Sequence, residues 1–100
     1  MLQAHADIDA MFACSDLMAL GAIEAIAAAH RTGSIKVVGF DALDDARKAI
    51  AAGTMEASVA QFPAEMGRAA IESAVKVIHG EKLPDDIKVR LELVTRDNAK

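Results

Sequence analysis

Polar and aromatic residues suited to binding a ligand come directly after three short apolar stretches of this 100-residue sequence. Ser15 follows the stretch that begins at Ala10, Phe40 and Asp41 close the second, and Gln61 comes near the end of the third. A carboxylate can accept charge-assisted hydrogen bonds from two hydroxyl groups, and an amide both donates and accepts. An aromatic ring can cover the apolar face of a sugar. These side chains together suit a small polyhydroxylated ligand.

The three apolar stretches alternate with helical patterns, which predicts an α/β fold with a three-layer, Rossmann-like parallel sheet and helices on both faces. We expect strands near residues 10–14, 35–40 and 57–61, and a fourth near 87–94. Apolar and polar residues alternate in the fourth, which predicts an edge strand with one wet face. The carboxyl ends of parallel strands open into the ligand crevice, so the candidate ligand-binding residues should gather at one edge of the sheet.

The spacing of apolar residues predicts helices over about 16–30, over about 43–52, and from residue 63 to a stop at Gly80. Gly33 is the candidate C-cap of the first helix. The apolar positions that recur along the first helix are Leu17, Leu20, Ile23 and Ala27. Those that share one face of the third helix are Met66, Ala70, Ala74 and Val77.

Each candidate site residue also has a purely structural interpretation. Asp41 precedes the second helix and could be its N-cap, a role that is compatible with ligand binding. Phe40 could belong to the core, and Ser15 and Asp16 are first of all caps of the helix that follows them. Gln61 has no obvious capping use, which favours the ligand-binding interpretation at that position.

Composition argues against several other classes of protein. The net charge is -4 with dispersed Lys and Arg, and only 3% of the residues are aromatic, which disfavours nucleic-acid binding. No apolar run approaches the ~20 residues needed to span a bilayer. His5, His30 and His79 lie near predicted helix ends without metal-ligand spacing, so we expect neither a metal site nor a cofactor.

Four ordered segments of the sequence resemble the type I periplasmic sugar-binding proteins of bacterial ABC importers, and the ribose-binding proteins are the nearest branch. The segments are residues 4–22, 37–41, 60–67 and 91–98. Such proteins have two α/β lobes that clamp a sugar at the hinge, and this chain resembles about the last third of one. The resemblance implies that residues 1–61 and about 88–100 belong to the carboxy-terminal lobe, and that 62–87 form a helix and a hinge crossing.

The resemblance also implies roles for individual residues. Asp41 and Gln61 would hydrogen-bond the sugar, and Phe40 would form a wall beside it. Ser15 lies where the ribose-binding branch commonly carries Asn, so the sugar need not be ribose. The helix that begins at Pro63 would pack on the other lobe.

The function implied by the resemblance is the substrate-binding component of a sugar importer, which is not an enzyme and works in the periplasm. Its partners would be a monosaccharide and the membrane subunits of an ABC permease, with a chemoreceptor as a further candidate. We expect no signal peptide within this chain, because Asp7 and Asp9 interrupt its start. The isolated chain is expected to form a dimer or larger species and to bind sugars negligibly.

Two alternatives come from other functional classes. The effector domain of LacI-type transcriptional regulators shares this fold and the type of helix start found at residues 16–22, although the route from Gly53 to the end of the chain favours the importer. A receiver-type phosphoacceptor at Asp41 would need a clustered acidic metal site and a lysine at a later strand end. That strand end carries Gln61 instead, which disfavours the phosphoacceptor.

Overall fold

The computed structural model describes residues 1–99 and alternates strands with helices along the chain, which confirms the predicted α/β class. The seven elements are β1 (Ala10–Phe12), α1 (Asp16–Ala28), β2 (Lys36–Phe40), α2 (Asp44–Ala52), β3 (Ala57–Gln61), α3 (Pro63–Ile78) and β4 (Leu91–Val94).

The strands form one four-stranded sheet in the order β1-β2-β3-β4. The pairs β1–β2 and β2–β3 are parallel, with Met11 opposite Val37 and Gly39 opposite Ser58. β4 lies at the end of this order, so the predicted edge position is confirmed. The predicted apolar face of this strand is wrong, because Leu91 and Leu93 are exposed and Val94 is the buried residue. β1 lies at the other end and is shorter than predicted, and its last residue, Phe12, is exposed. We call the side of the sheet where β1, β2 and β3 end the carboxyl edge.

The chain divides into two compact units. The first unit comprises Met1–Ala60 together with the segment from Glu92 onward, and the second unit is Gln61–Leu91. The first unit contains a hydrophobic core to which the sheet, α1, α2 and the loop before β3 contribute. Its most deeply buried large side chains are Ile50, Met55, Val37 and Val94.

The buried face of α1 agrees only in part with the one predicted by apolar spacing, since Leu20 and Ile23 pack against the core as expected. Leu17 is 72% exposed, whereas Ala19 and Ile26 are buried. Alanine is so frequent in α1 that most of its faces are apolar, so periodicity alone does not select the face that packs. The small side chain of Ala19 lets the helix approach β2 closely at Gly39, where an added methyl group would lie 3.2 Å from Ala19 Cβ.

Two predicted boundaries are also wrong. α1 ends at Ala28 with Ala29 as its C-cap, and Gly33 instead takes a positive φ in the turn that follows. β4 begins at Leu91 rather than near residue 87. The residue before β4, Arg90, instead engages side chains of the second unit.

The second unit consists of α3 and the extended segment after it. Pro63 occupies the first turn of α3, where its missing N–H costs no helical hydrogen bond. No residue of α3 is buried, and on its predicted apolar face Val77 is exposed whereas Met66 is half-buried. The guanidinium of Arg90 lies 3.5 Å from the centroid of the Phe62 ring and 2.7 Å from a carboxylate oxygen of Glu65.

Candidate ligand-binding site

Ser15 lies at the carboxyl edge, between the end of β1 and the first residue of α1. Its backbone is extended, and its Oγ accepts a hydrogen bond of 3.3 Å from the backbone N–H of Met18. This is the geometry of an N-cap, so the predicted capping role is confirmed. The side chain is half-buried, which leaves part of it exposed at the carboxyl edge.

Asp41 lies in a tight turn between β2 and α2. Phe40 is the last residue of β2 and is half-buried, and the side chain of Asp41 beyond it is exposed. The interpretation of Asp41 as the cap of α2 is wrong, because α2 begins at Asp44 with Leu43 as its N-cap. The chain must first pass through Asp41 and Ala42, whose φ angles are 107° and 55°.

Positive φ at two successive non-glycine residues is a strained arrangement. Each such residue costs on the order of 1–3 kcal/mol and persists only where surrounding contacts enforce it. Here three consecutive backbone N–H groups of the turn each donate a hydrogen bond. The bonds run from Asp41 N to Val59 O (2.8 Å), from Ala42 N to Ser58 Oγ (3.0 Å) and from Leu43 N to Asp16 Oδ2 (2.7 Å). The carbonyl of Ala42 is held as well, since it accepts from Arg47 Nε at 3.0 Å.

Two of the groups that hold the turn are fully buried polar side chains. Asp16, the first residue of α1, and Ser58, in β3, both have no exposed surface. Ser58 Oγ donates to Asp16 Oδ1 at 2.6 Å while it accepts from the turn. Burying a carboxylate is costly unless it is well hydrogen-bonded. Here the bonds are made, and no buried side-chain nitrogen or oxygen within residues 1–99 lacks a partner.

Sequence analysis assigned Asp16 only a capping role and did not single out Ser58. The sequence offers only a partial signal, since Ser58 interrupts an apolar strand. That Gly39 lies opposite Ser58 is known from the register of the folded sheet. A methyl group on Gly39 would overlap Asp16 Oδ1. The absence of a side chain at this position therefore gives the buried carboxylate its space.

Comparison with known proteins identifies the family. A model of the periplasmic binding protein domain matches residues 1–82 of the chain. The chain belongs to this family. The range includes Ser15, Phe40, Asp41 and Gln61, so every candidate site residue lies within the matched domain, as does the buried Asp16.

Individual relatives agree with the family match. The ribose import binding protein RbsB of Escherichia coli K12 is 42% identical over 96 residues, which cover 96% of this chain and 32% of that protein. The glucose-galactose binding protein GanP of Geobacillus stearothermophilus superposes with a TM-score of 0.86 at 27% identity, over 96% of this chain and 34% of GanP. An ABC transporter periplasmic solute binding protein of Actinobacillus succinogenes with bound D-allose superposes with a TM-score of 0.81 at 31% identity. The superposition covers 98% of this chain and 35% of that protein. The chain spans about one third of the length of these relatives.

Within this periplasmic binding protein domain, the structure brings only some of the predicted site residues into one unit. Ser15, Phe40 and Asp41 belong to the first unit and follow or end neighbouring parallel strands. Gln61 is the last residue of β3, is half-buried, and is the first residue of the second unit.

The described part of the domain holds neither a metal-ligand cluster nor a membrane-spanning helix. Residues 1–99 contain no group of three or more His, Cys, Asp or Glu side chains arranged to hold a metal ion. None of the helices in that range has the length and apolar character that a bilayer crossing requires. What the carboxyl edge offers is a carboxylate, a hydroxyl and an aromatic ring.

Proposed function

We propose that this chain forms the carboxy-terminal third of the substrate-binding component of a bacterial ABC sugar importer. The component would hold a monosaccharide between two lobes and deliver it to the permease in the membrane. The observation that carries the proposal is the Asp41 turn, in which three hydrogen-bonded amides fix a strained backbone below an exposed carboxylate. Relatives named for ribose import and for glucose and galactose binding support it, as does a neighbour with bound D-allose.

Four side chains would contact the sugar, each through a different chemistry. The Asp41 carboxylate accepts hydrogen bonds from two neighbouring hydroxyl groups. The Gln61 amide donates to one sugar oxygen and accepts from another, and the Phe40 ring lies against the apolar face of the sugar. Ser15 supplies a short hydroxyl where the ribose-binding branch commonly carries the longer Asn. A longer or more substituted sugar than ribose would suit the extra space.

The function of the whole component requires binding and release without any chemical step, so no catalytic residue or cofactor is part of the proposal. Residues 1–61 and about 88–100 would contribute to one lobe, and residues 62–87 would form the helix and crossing at the hinge. The component would work in the periplasm with the permease subunits, and a chemoreceptor is a further candidate partner. The relatives favour this function over that of a LacI-type regulator, because the 42% identical protein is an import protein.

The decisive experiment restores a two-lobed protein. This chain replaces the matching third of the Escherichia coli ribose import binding protein, and titration calorimetry measures the affinity of the hybrid for D-ribose, D-allose, D-glucose and D-galactose. Asp41→Ala or Gln61→Ala should each weaken binding of the preferred sugar by about 5- to 150-fold, because hydroxyl groups lose partners worth roughly 1–3 kcal/mol each.

The matched control is His30→Ala, which changes a side chain in the turn after α1 and should leave the affinity unaltered. A hybrid that binds none of the four sugars would count against the proposed function. Unchanged affinity in both the Asp41 and the Gln61 variants would remove these two residues from the sugar site.

The chain by itself should form dimers or larger species and should bind sugars negligibly. Large apolar side chains of α3 are exposed, among them Ile71 and Ile78, and the sheet ends in the unpaired edges of β1 and β4. Such surfaces favour association.

Light scattering on the chain should give a mass that rises with protein concentration. Ile71→Lys should shift the chain toward monomer, whereas the control Lys76→Gln, a change at another position of α3, should not. A monomer with micromolar affinity for one of the four sugars would contradict this part of the proposal.

A further inference from the structure

The two buried polar side chains that hold the Asp41 turn, Asp16 and Ser58, form a chain of hydrogen bonds that we call the relay. Ser58 has a single hydroxyl proton, and its bond to Asp16 Oδ1 at 2.6 Å uses that proton. The lone pairs of Ser58 Oγ are then directed away from Asp16, and one of them accepts the N–H of Ala42. Asp16 therefore ensures that a lone pair of Ser58 Oγ, and not its proton, faces the N–H of Ala42, in addition to accepting the N–H of Leu43 itself.

Neither side chain can touch a ligand, since both lack exposed surface. Their hydrogen bonds reach the backbone on both sides of the left-handed Ala42, one residue away from the exposed Asp41. Alanine has no intrinsic preference for this conformation, so the surrounding bonds must enforce it. The relay joins the start of α1, the middle of β3 and the turn, three parts of the chain that are distant in sequence.

We propose that Asp16 and Ser58 are positioning residues that hold the Asp41–Ala42 turn left-handed and so fix the direction of the Asp41 carboxylate toward a bound sugar. The inference rests on the proposed function and deepens it. A carboxylate fixed before the ligand arrives loses less conformational freedom on binding, which raises affinity without any new contact. Loss of the relay would let the turn relax to negative φ and would redirect Asp41 although Asp41 itself is unchanged.

The first measurement reads the turn directly in the full 100-residue chain. Scalar couplings that report φ at Asp41 and Ala42 are measured by NMR for the unsubstituted chain, for Asp16→Ala and for Ser58→Ala. Both variants should lose the positive φ at Ala42. The control Ile26→Val removes one methyl group from a buried residue of α1 and should keep the couplings unchanged. Positive φ retained at Ala42 in both relay variants would overturn the proposal.

The second measurement reads sugar affinity in the two-lobed hybrid, at a temperature where every variant is folded. Ser58→Ala should weaken binding of the preferred sugar about 5- to 30-fold, and Asp16→Asn, which keeps one acceptor oxygen, should weaken it less than Asp16→Ala. Ile26→Val should lower the melting temperature without changing the affinity. Adding Ala42→Gly to Ser58→Ala should recover part of the lost affinity, because glycine enters the left-handed region without steric cost.

The two measurements separate the possible failures. If the unsubstituted hybrid binds no sugar, the proposed function fails, and the couplings still decide whether Asp16 and Ser58 hold the turn. If the hybrid binds sugar and the relay variants lose the turn but keep their affinity, the positioning role is wrong and the proposed function stands.

Discussion

The two units of the chain differ most in what they bury. Every buried residue within the described range 1–99 belongs to the first unit, and the second unit has none. In the first unit, hydrophobic burial and hydrogen bonds of buried polar groups act together around the Asp41 turn. In the second, α3 presents Ile71, Val77 and Ile78 to solvent. Most helical stability in proteins comes from packing of an apolar face. The first unit has such packing, whereas no residue of α3 is buried within residues 1–99.

This difference extends to the residues of the proposed sugar site. The backbone N–H groups at residues 41, 42 and 43 donate hydrogen bonds within the first unit, to Val59, Ser58 and Asp16. The second unit begins at Gln61 and is held locally by exposed contacts such as that between Arg90 and Glu65. We therefore expect substitutions in the first unit to change stability strongly, and matched substitutions in the second unit to change it weakly.

The largest contrast should come from two isoleucines. Ile50→Ala should lower the free energy of unfolding by about 2–5 kcal/mol, because it removes packed atoms from a residue that is 1% exposed. Ile78→Ala should change it by less than about 0.5 kcal/mol, because that side chain is 80% exposed. Urea unfolding monitored by circular dichroism measures both. Equal losses in the two variants would abolish the distinction between the units.

Two glycines should give effects of opposite sign. Gly39→Ala should destabilise the chain by about 1–3 kcal/mol, because the new methyl group overlaps the Asp16 carboxylate. Gly67→Ala should stabilise it by about 0.5–1 kcal/mol, because Gly67 lies within α3 with no atom near the new methyl group. Gly21→Ala in α1 is the control, since that position is also open. A destabilising Gly21→Ala would show that crowding at Gly39 is not the cause.

The smallest effect should come from the exposed contact of the second unit. Arg90 makes two hydrogen bonds to Glu65, of 3.3 and 2.7 Å, and covers the Phe62 ring. Exposed ion pairs and cation–π contacts each contribute at most about 1 kcal/mol. Arg90→Lys should therefore lower the melting temperature only slightly, and the difference should shrink in 1 M salt as the charges are screened (Debye length about 3 Å). A large, salt-independent loss would indicate that Arg90 has a packing role in the second unit.

Sequence patterns were most informative where a segment has one dominant physical requirement. The apolar strands β2 and β3 were predicted to within one residue, because few other structures suit a short apolar run bounded by turns. Alternation alone was less reliable at residues 87–90, which lie outside the strand. Arg90 contacts Phe62 and Glu65 there, and the strand begins at Leu91. In α1 the abundance of alanine concealed the buried face, which is set by close packing on Gly39.

The position of the candidate residues at the carboxyl edge was predictable from the sequence, but the backbone geometry and the buried hydrogen bonds around them were not. The rule that strand ends of a parallel sheet meet at one edge led to Ser15, Phe40 and Asp41. It could not show that Asp41 lies in a left-handed turn, because aspartate is also a preferred helix cap. The role of Asp16 was missed for a similar reason. Its partners, Ser58 and the turn, are defined only by the fold, and a residue at a helix start gives no sign of burial.

The close approach at Gly39 has a consequence for how this protein can change over generations. Residues 16, 39 and 58 come from three elements, yet the hydrogen bond between 16 and 58 and the missing side chain at 39 couple the substitutions that these positions tolerate. A larger residue at 39 is acceptable only after the carboxylate at 16 has gone, and without that carboxylate the hydroxyl at 58 has lost its partner. Single changes here should be selected against, whereas Ser15 and Phe40 lie outside this constraint. Variation at the proposed sugar site should therefore accumulate at positions such as Ser15 and Phe40, while residues 16, 39 and 58 change together or not at all.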